Sequence, residues 1–239
     1  MYGWRSQVGI VVPAENTVIE PELSHLAPEG VSFHFTRLMP ARAATPGAVP
    51  ENVAEAVLAF QQSGVDAILY ASMASSLVAA DAWERQVKAQ TGVPVATAST
   101  ALKEALRTLG VRSVALVSHY TPELFQRVDR WFQANGFRVV AAESANVADQ
   151  RQVNRIPTEE VYRLARKADT PEADAVCLLA TDLRTFPILE QMETDLGKPV
   201  IASNQTLLWK ALGMAGIRAG IRGYGSLLSG QPAPGATRR

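Results

Sequence analysis

The chain has 239 residues, which is enough for one α/β domain of two halves or for two small domains. Its 23 Lys and Arg residues balance its 23 Asp and Glu residues, so a basic surface for nucleic acid is not expected. Apolar residues make up 47% and charged residues 19%, which is typical of a globular protein with a large core. No apolar stretch approaches the roughly 20 residues that span a bilayer, and residues 1–7 lack the apolar run of a signal peptide.

Short apolar runs rich in β-branched residues alternate with helical patterns along the chain. Apolar residues at helical spacing predict helices over Val53–Phe60, Thr100–Leu109 and Pro122–Asn135. Continuous apolar runs predict strands that are buried on both faces, and their alternation with helices predicts mostly parallel sheets flanked by helices. In chain order, the predicted strands are Val8–Val12, Val31–Leu38, Ala67–Tyr70, Val93–Ala96, Val114–Val117, Arg138–Ala141, Ala175–Leu179 and Pro199–Ile201.

The two parts of the chain repeat each other at an offset of about 105 to 108 residues. For example, Asp66-Ala67-Ile68-Leu69 recurs as Asp174-Ala175-Val176-Cys177. The repeat predicts two pseudo-symmetric, Rossmann-like α/β halves with a site between them. We place the halves at residues 1–105 and 106–228, with a possible return of the C-terminal helix to the first half, and a flexible tail at residues 229–239.

Cysteine and histidine are scarce in the sequence. Cys177 is the one cysteine, so an intrachain disulfide cannot form, and this usage is typical of a reducing compartment such as the cytoplasm. One cysteine and three histidines do not favour a zinc cluster. We therefore predict a cytoplasmic protein without a metal site, which binds neither nucleic acid nor a membrane.

Segments rich in hydroxyl and amide side chains follow the predicted strands. Ligands of parallel sheets bind at the carboxyl ends of the strands, and hydroxyls together with the free N–H groups of a helix N-terminus suit a carboxylate. These segments predict a carboxylate-binding cleft, although each is also typical of an ordinary helix cap. The candidate binding residues are Asn16, Ser72, Ser75, Ser76, Thr181 and Asn204.

Two titratable residues of the second half, His119 and Asp182, lie next to the ends of predicted strands. His119 is either a general acid or base or a structural histidine, and Asp182 is either a base or a helix cap. Cys177 lies inside an apolar strand, which favours a small buried core residue. The sequence contains no P-loop, glycine-rich dinucleotide fingerprint, HExxH motif or nucleophile elbow.

Three segments together resemble the maleate cis-trans isomerases. They are the opening strand followed by Pro13-Ala14-Glu15-Asn16-Thr17, the segment from Asp174 to Thr185, and Gly197–Val200 with Ser203-Asn204-Gln205. The wider aspartate/glutamate racemase superfamily includes the arylmalonate decarboxylases, whose dioxyanion-hole loop is similar to Met73-Ala74-Ser75-Ser76-Leu77. The resemblance implies two Rossmann-like halves and catalysis without a metal or organic cofactor.

The resemblance also implies catalytic cysteines that follow strand ends. Racemases and isomerases have one such cysteine in each half, whereas decarboxylases have one in the second half only. In this sequence the two positions correspond to Ala74, with Ser72 as a second alignment, and to Ala180. Cys177 lies three residues too early to replace the second cysteine. Tyr120 matches a tyrosine of the family. Alanine provides neither a nucleophile nor a proton, so thiol-based isomerisation and two-base racemisation are not expected.

Decarboxylation is the family activity that best survives the loss of thiols, because it needs a carboxylate cradle, an apolar pocket and a proton donor. We predict a cofactor-independent enzyme that acts on a small carboxylate or dicarboxylate through an enediolate-type intermediate, with His119, Tyr120 or Asp182 as proton donor. Two alternatives stay open: an inactive carboxylate-binding protein, and an isomerase, racemase, hydrolase or dehydratase with a non-cysteine acid or base. A homo-oligomer is an expectation from the family alone.

Overall fold

The computed structural model describes residues 2–39, 52–217 and 220–231. In these ranges eight strands alternate with ten helices, and a short 3₁₀ turn lies at Phe186–Ile188. The strands are β1 (Ser6–Pro13), β2 (Val31–Leu38), β3 (Ala67–Tyr70), β4 (Val95–Thr97), β5 (Ser113–Ser118), β6 (Arg138–Ser144), β7 (Ala175–Leu178) and β8 (Val200–Ala202). The helices are α1 (Ile19–His25), α2 (Asn52–Ser63), α3 (Met73–Thr91), α4 (Ala98–Thr108), α5 (Pro122–Ala134), α6 (Gln150–Val153), α7 (Thr158–Ala168), α8 (Leu189–Leu196), α9 (Ser203–Met214) and α10 (Ser226–Ser229).

The strands form two four-stranded parallel sheets with the same topology. The first sheet has the order β2-β1-β3-β4 and the second the order β6-β5-β7-β8. Strands β3, β5, β7 and β8 are buried along their whole length, as their continuous apolar sequences predict. The predicted fold of two similar, mostly parallel α/β halves is confirmed.

The internal repeat has a structural basis at the start of each sheet. The carboxylate of Asp66 accepts a hydrogen bond of 2.8 Å from the backbone N–H of Gln7, and Asp174 accepts one of 2.8 Å from that of Ser113. Each aspartate therefore satisfies a backbone N–H within the first two residues of the neighbouring central strand. Because the two aspartates do the same task, the motif that contains them recurs in both halves.

The ends of the elements differ slightly from the prediction. Helix α4 begins at Ala98 rather than at Thr100, because the hydroxyl of Thr97 accepts the backbone N–H of Thr100 and caps the first turn. Helix α5 begins at Pro122, as predicted from the suitability of proline for a first helical turn.

Contacts between the halves include the packing of α4 on α9 and of α1 on α9. The proposed boundary near residue 105 lies inside α4 and stays a prediction. The proposed flexible tail begins at Ser229, the last residue of α10, and from residue 232 onward it lies outside the described residues. Within the described ranges, no helix combines the length and the apolar character needed to cross a bilayer.

Candidate active site

A cleft of about 340 Å³ lies where the carboxyl ends of β1, β3, β5 and β7 meet. This volume suits a small molecule. The cleft is lined by residues from both halves: Pro13, Glu15, Asn16, Leu38, Met39, Tyr70, Ser72, Met73, Ala74, Ser75, His119, Tyr120, Gln150, Ala180, Thr181 and Asp182. The structure therefore brings together nine of the eleven residues proposed for the site, and Ser76 and Asn204 are the two that it places elsewhere.

The N-terminus of α3 forms one side of this cleft. Ser72 precedes the helix in an extended conformation, and the first backbone hydrogen bond of the helix joins the N–H of Ser76 to the carbonyl of Ser72. The N–H groups of the first turn therefore have no acceptor inside the helix, and the helix dipole adds partial positive charge there. The hydroxyls of Ser72 and Ser75 make no hydrogen bond to any described residue. This end of α3 is suited to an anionic oxygen.

Asn16 and Thr181 connect the two halves across the floor of the cleft. The side-chain oxygen of Asn16 accepts the N–H groups of Val18 and Ile19 at the start of α1, and its Nδ2 donates to the hydroxyl of Thr181 at 3.0 Å. That hydroxyl donates in turn to the carbonyl of Ala71 at 3.0 Å. Both side chains are buried, so they fix the position of the halves as well as lining the cleft.

Replacing Thr181 with Val is expected to lower the free energy of unfolding by about 2–4 kcal/mol. Valine keeps the shape of threonine but leaves the buried Asn16 Nδ2 and Ala71 carbonyl without their partner. Urea unfolding measures the change, with Thr194→Val on the exposed face of α8 as the matched control. Equal effects of the two substitutions would contradict the assigned role.

Ser76 belongs to the joint between α3 and α4 rather than to the cleft. Its hydroxyl donates to the carbonyl of Met73 at 3.0 Å and accepts the backbone N–H of Ser99 at 3.1 Å, while the hydroxyl of Ser99 donates to the carbonyl of Ser76. The prediction that Ser76 binds a substrate carboxylate is therefore not supported by its position. Its hydrogen bonds hold the first turn of α3 against α4.

Asn204 also faces away from the cleft, toward a carboxyl group of the first half. Its Nδ2 donates to Oε2 of Glu22 at 2.7 Å and to the carbonyl of Thr181 at 3.0 Å. The other oxygen of Glu22 accepts the backbone N–H groups of Thr185 and Phe186. Burial raises the pKa of Glu22 from 4.5 to about 7, against the lowering effect of these hydrogen bonds and of Arg184. Asn204 therefore joins the halves behind the cleft.

The raised pKa of the buried Glu22 carboxyl group makes the stability of the fold depend on pH. A pKa of about 7 means that the folded chain holds the proton of Glu22 more tightly than the unfolded chain, whose value is 4.5. Its contribution to the free energy of unfolding is therefore fully present below about pH 4.5 and is lost as the pH rises through 7. The loss amounts to up to about 3 kcal/mol.

Glu22→Gln cannot ionise and is expected to remove this dependence. Thermal unfolding of the wild type and of Glu22→Gln between about pH 5 and pH 8 tests it, with the exposed Glu29→Gln as control. Parallel pH profiles for all three proteins would contradict the assignment.

His119 and Asp182 form a buried acid–base pair on the side of the cleft that belongs to the second half. Nε2 of His119 lies 3.8 Å from Oδ1 of Asp182, and the two side chains are only 4% and 13% exposed. Nδ1 of His119 lies 2.9 Å from the carbonyl oxygen of Val147, so Nδ1 carries a hydrogen and Nε2 is directed to Asp182. Burial raises the pKa of Asp182 above its usual value, against the lowering effect of His119, and Glu15 raises it further.

Tyr120 lies beside this pair and contributes a neutral hydroxyl. Its ring meets the imidazole of His119 edge to face, with the ring centroids 4.8 Å apart. Burial and the nearby Asp182 raise the pKa of Tyr120 far above its usual value, so the phenol keeps its proton at neutral pH. The group is therefore a hydrogen-bond donor rather than a base.

The two alanines at the positions implied for cysteine both line the cleft. Ala180 has a φ of 138°, a region in which residues other than glycine are strained, and its N–H is held by the hydroxyl of Ser203 at 3.1 Å. Cys177 is fully buried in the middle of β7, where burial raises the pKa of its thiol. Among the residues that line the cleft in the described part of the chain, there is accordingly no thiol.

Seven lining residues were not among the proposed site residues: Pro13, Glu15, Leu38, Met39, Tyr70, Met73 and Gln150. Leu38 is the last residue of β2 and Tyr70 is the last residue of β3. The rule that ligands bind at the carboxyl ends of parallel strands would therefore have identified both residues. Met39 follows Leu38, and Gln150 begins α6, where no strand-end signal exists. Leu38, Met39 and Tyr70 give the cleft an apolar wall on the side of the first half.

Known proteins resemble this chain over nearly its whole length. The profile of the arylmalonate decarboxylase family matches residues 8–228. The maleate isomerase of Nocardia farcinica is 28% identical over 238 residues, which cover 93% of this chain and 95% of that protein. The arylmalonate decarboxylase of Bordetella bronchiseptica is 31% identical over 140 residues, which cover 57% of this chain and 58% of that protein.

Solved structures agree with these sequence relationships. A cysteine-to-serine mutant of the Nocardia farcinica maleate cis-trans isomerase, with a covalently bound succinylcysteine intermediate, superposes with a TM-score of 0.85 at 28% identity, covering 95% of this chain and 99% of that one. An unliganded arylmalonate decarboxylase gives a TM-score of 0.83 at 25% identity, covering 95% and 100%. The chain therefore belongs to the arylmalonate decarboxylase family, and its relatives are isomerase and decarboxylase enzymes.

Proposed function

We propose that this protein decarboxylates a small malonate-type dicarboxylate through an enediolate intermediate. One observation carries the proposal: the buried His119–Asp182 pair and the N-terminus of α3 line the same cleft. The His119–Asp182 pair supplies a proton, and the N-terminus of α3 binds negative charge. Decarboxylation followed by protonation at carbon requires both tasks and no nucleophile.

The N-terminus of α3 holds the carboxylate that remains in the product. Its free N–H groups and the hydroxyls of Ser72 and Ser75 are directed to oxygen atoms that gain negative charge as CO₂ leaves. When the carbon–carboxylate bond breaks, its electron pair moves into the retained carboxylate and forms an enediolate. Donors fixed before the reaction stabilise this charge more than donors that must reorganise.

The His119–Asp182 pair then protonates the α-carbon. The raised pKa of Asp182 keeps a proton on the pair at a pH where a solvent-exposed aspartate has lost it. The proton moves from the pair to the carbon, the enediolate becomes a carboxylate, and solvent returns a proton to the pair. Tyr120, with its raised pKa, donates a hydrogen bond throughout and does not titrate.

Thiol-dependent chemistry fits this cleft less well. In the Nocardia farcinica isomerase mutant, the intermediate is a succinyl group attached to cysteine. Methyl groups stand at Ala74 and Ala180, and neither can form such a bond. The hydroxyls that line the cleft are weaker nucleophiles than a thiolate.

A substrate screen tests the proposal. Methylmalonate, phenylmalonate and unsubstituted malonate are incubated with the protein, and both CO₂ release and thermal stabilisation are measured. We expect CO₂ from at least one of them, and we expect Ser72→Ala to lower kcat/KM by about 10-fold or more. The control is Ser63→Ala, at an exposed position in α2. Stabilisation by these ligands without any CO₂ would instead identify a carboxylate-binding protein and contradict the proposal.

A further inference from the structure

Nε2 of His119 and Oδ1 of Asp182 both line the cleft and lie close enough together to bind one water molecule beside them. At 3.8 Å, Nε2 and Oδ1 are too far apart for a direct hydrogen bond, and polar atoms at such a distance are commonly bridged by water. A water can make hydrogen bonds of ordinary length to both atoms at once. The carbonyl of Val147 fixes the Nδ1 hydrogen, so the lone pair of neutral His119 on Nε2 is directed to that water.

The neighbouring side chains leave this position open to the substrate. Ala180 and Ala74 reach the cleft with a methyl group only, so neither presents a long side chain between the pair and a bound ligand. His119 and Asp182 are both buried, which strengthens the interaction of each with a shared water. A water held between an imidazole and a carboxylate is a standard arrangement for general-base activation.

We propose that the protein also hydrates short α,β-unsaturated dicarboxylates such as maleate, with a water in the cleft that is bound by both His119 and Asp182 as the nucleophile. The inference uses the same carboxylate cradle as the proposed decarboxylation but does not require that reaction. In the Nocardia farcinica isomerase mutant a cysteine sulfur is bonded to a succinyl group. Here the activated water would form the corresponding bond through oxygen, and the product would be a hydroxysuccinate.

The steps balance without any further reactant. The water oxygen bonds to the β-carbon, and its proton passes to Nε2 of His119. The π electrons of the carbon–carbon double bond move to the carboxylate at the N-terminus of α3, which holds the resulting enediolate. The imidazolium, stabilised by Asp182, then gives its proton to the α-carbon. The net reaction adds one water to the double bond and returns the pair to its starting state. That starting state is the pair without its transferable proton, whereas decarboxylation uses the pair with the proton, so hydration is favoured at higher pH than decarboxylation.

Isotope labelling tests this inference. Maleate and fumarate are incubated with the protein in H₂¹⁸O, and the products are identified by mass spectrometry. We expect hydroxysuccinate with one ¹⁸O in its hydroxyl group. His119→Gln and Asp182→Asn, which keep similar shapes, are each expected to lower its rate by about 100-fold or more. Ser63→Ala is the control, and a thermal melt establishes that each variant is folded.

The outcomes separate the two proposals. If malonates lose CO₂ but maleate and fumarate give no hydroxysuccinate, hydration is wrong and the decarboxylase remains. Hydroxysuccinate without CO₂ from malonates supports hydration and contradicts the decarboxylase. Exchange of maleate and fumarate without water uptake, or equal hydration by the His119→Gln and Asp182→Asn variants, overturns the inference.

Discussion

Replacing Asp182 with Asn is expected to lower kcat for decarboxylation by about 10²- to 10⁴-fold. Asparagine has nearly the same shape but cannot hold the transferable proton or stabilise a charged imidazole. KM is expected to change little, because the carboxylate is held by the N-terminus of α3 at the other side of the cleft. Steady-state CO₂ release measures both constants.

The matched control is Asp81→Asn, which changes an exposed aspartate of α3 outside the cleft. Its kinetic constants are expected to equal those of the wild type. The wild-type rate should also fall as the pH rises through the raised pKa of the pair, because the proton donor is then lost. A kcat for Asp182→Asn within a few-fold of the wild type would show that the proton comes from another group.

The second large effect is expected on stability, from Glu193→Ala. Glu193 is 3% exposed, and its carboxylate accepts the backbone N–H of Val200 at 3.0 Å and both the N–H and the hydroxyl of Ser226 at 2.7 and 2.9 Å. It thereby connects α8 to β8 and to α10. Removing it leaves three donors without an acceptor, so we expect a loss of about 3–5 kcal/mol.

Thermal unfolding measures this loss as a decrease in Tm of roughly 6–20 °C. Glu190→Ala, an exposed change in the first turn of the same helix, is the control and is expected to shift the stability by less than about 0.5 kcal/mol. A decrease no larger than that of the control would mean that the C-terminal segment is held by other contacts.

Most of the fold could be predicted because its signals are local and repeated. Most strands contain a short apolar run, and the motif around Asp66 recurs around Asp174, where both aspartates bind the start of a central strand. Parallel strands then align their carboxyl ends at one edge. The location of the cleft followed from that rule without knowledge of any contact.

The direction of individual side chains could not be predicted in the same way. Ser76 lies one turn into α3, where the helical rotation directs its hydroxyl to Ser99 of α4 instead of the cleft. Asn204 is directed to Glu22, a partner 182 residues away, through a contact that no local pattern indicates. The distance between His119 and Asp182 likewise depends on the packing of the loop that contains Val147.

Measuring decarboxylation by the Cys177→Ala variant tests the central claim most directly, because this variant has no thiol at all. The reaction is followed in D₂O with a substituted malonate, by CO₂ release and by deuterium at the α-carbon of the product. We predict a rate within about twofold of the wild type and one deuterium per product molecule, since Cys177 is buried in β7 and away from the cleft. A folded Cys177→Ala protein that has lost its activity would contradict catalysis by the His119–Asp182 pair.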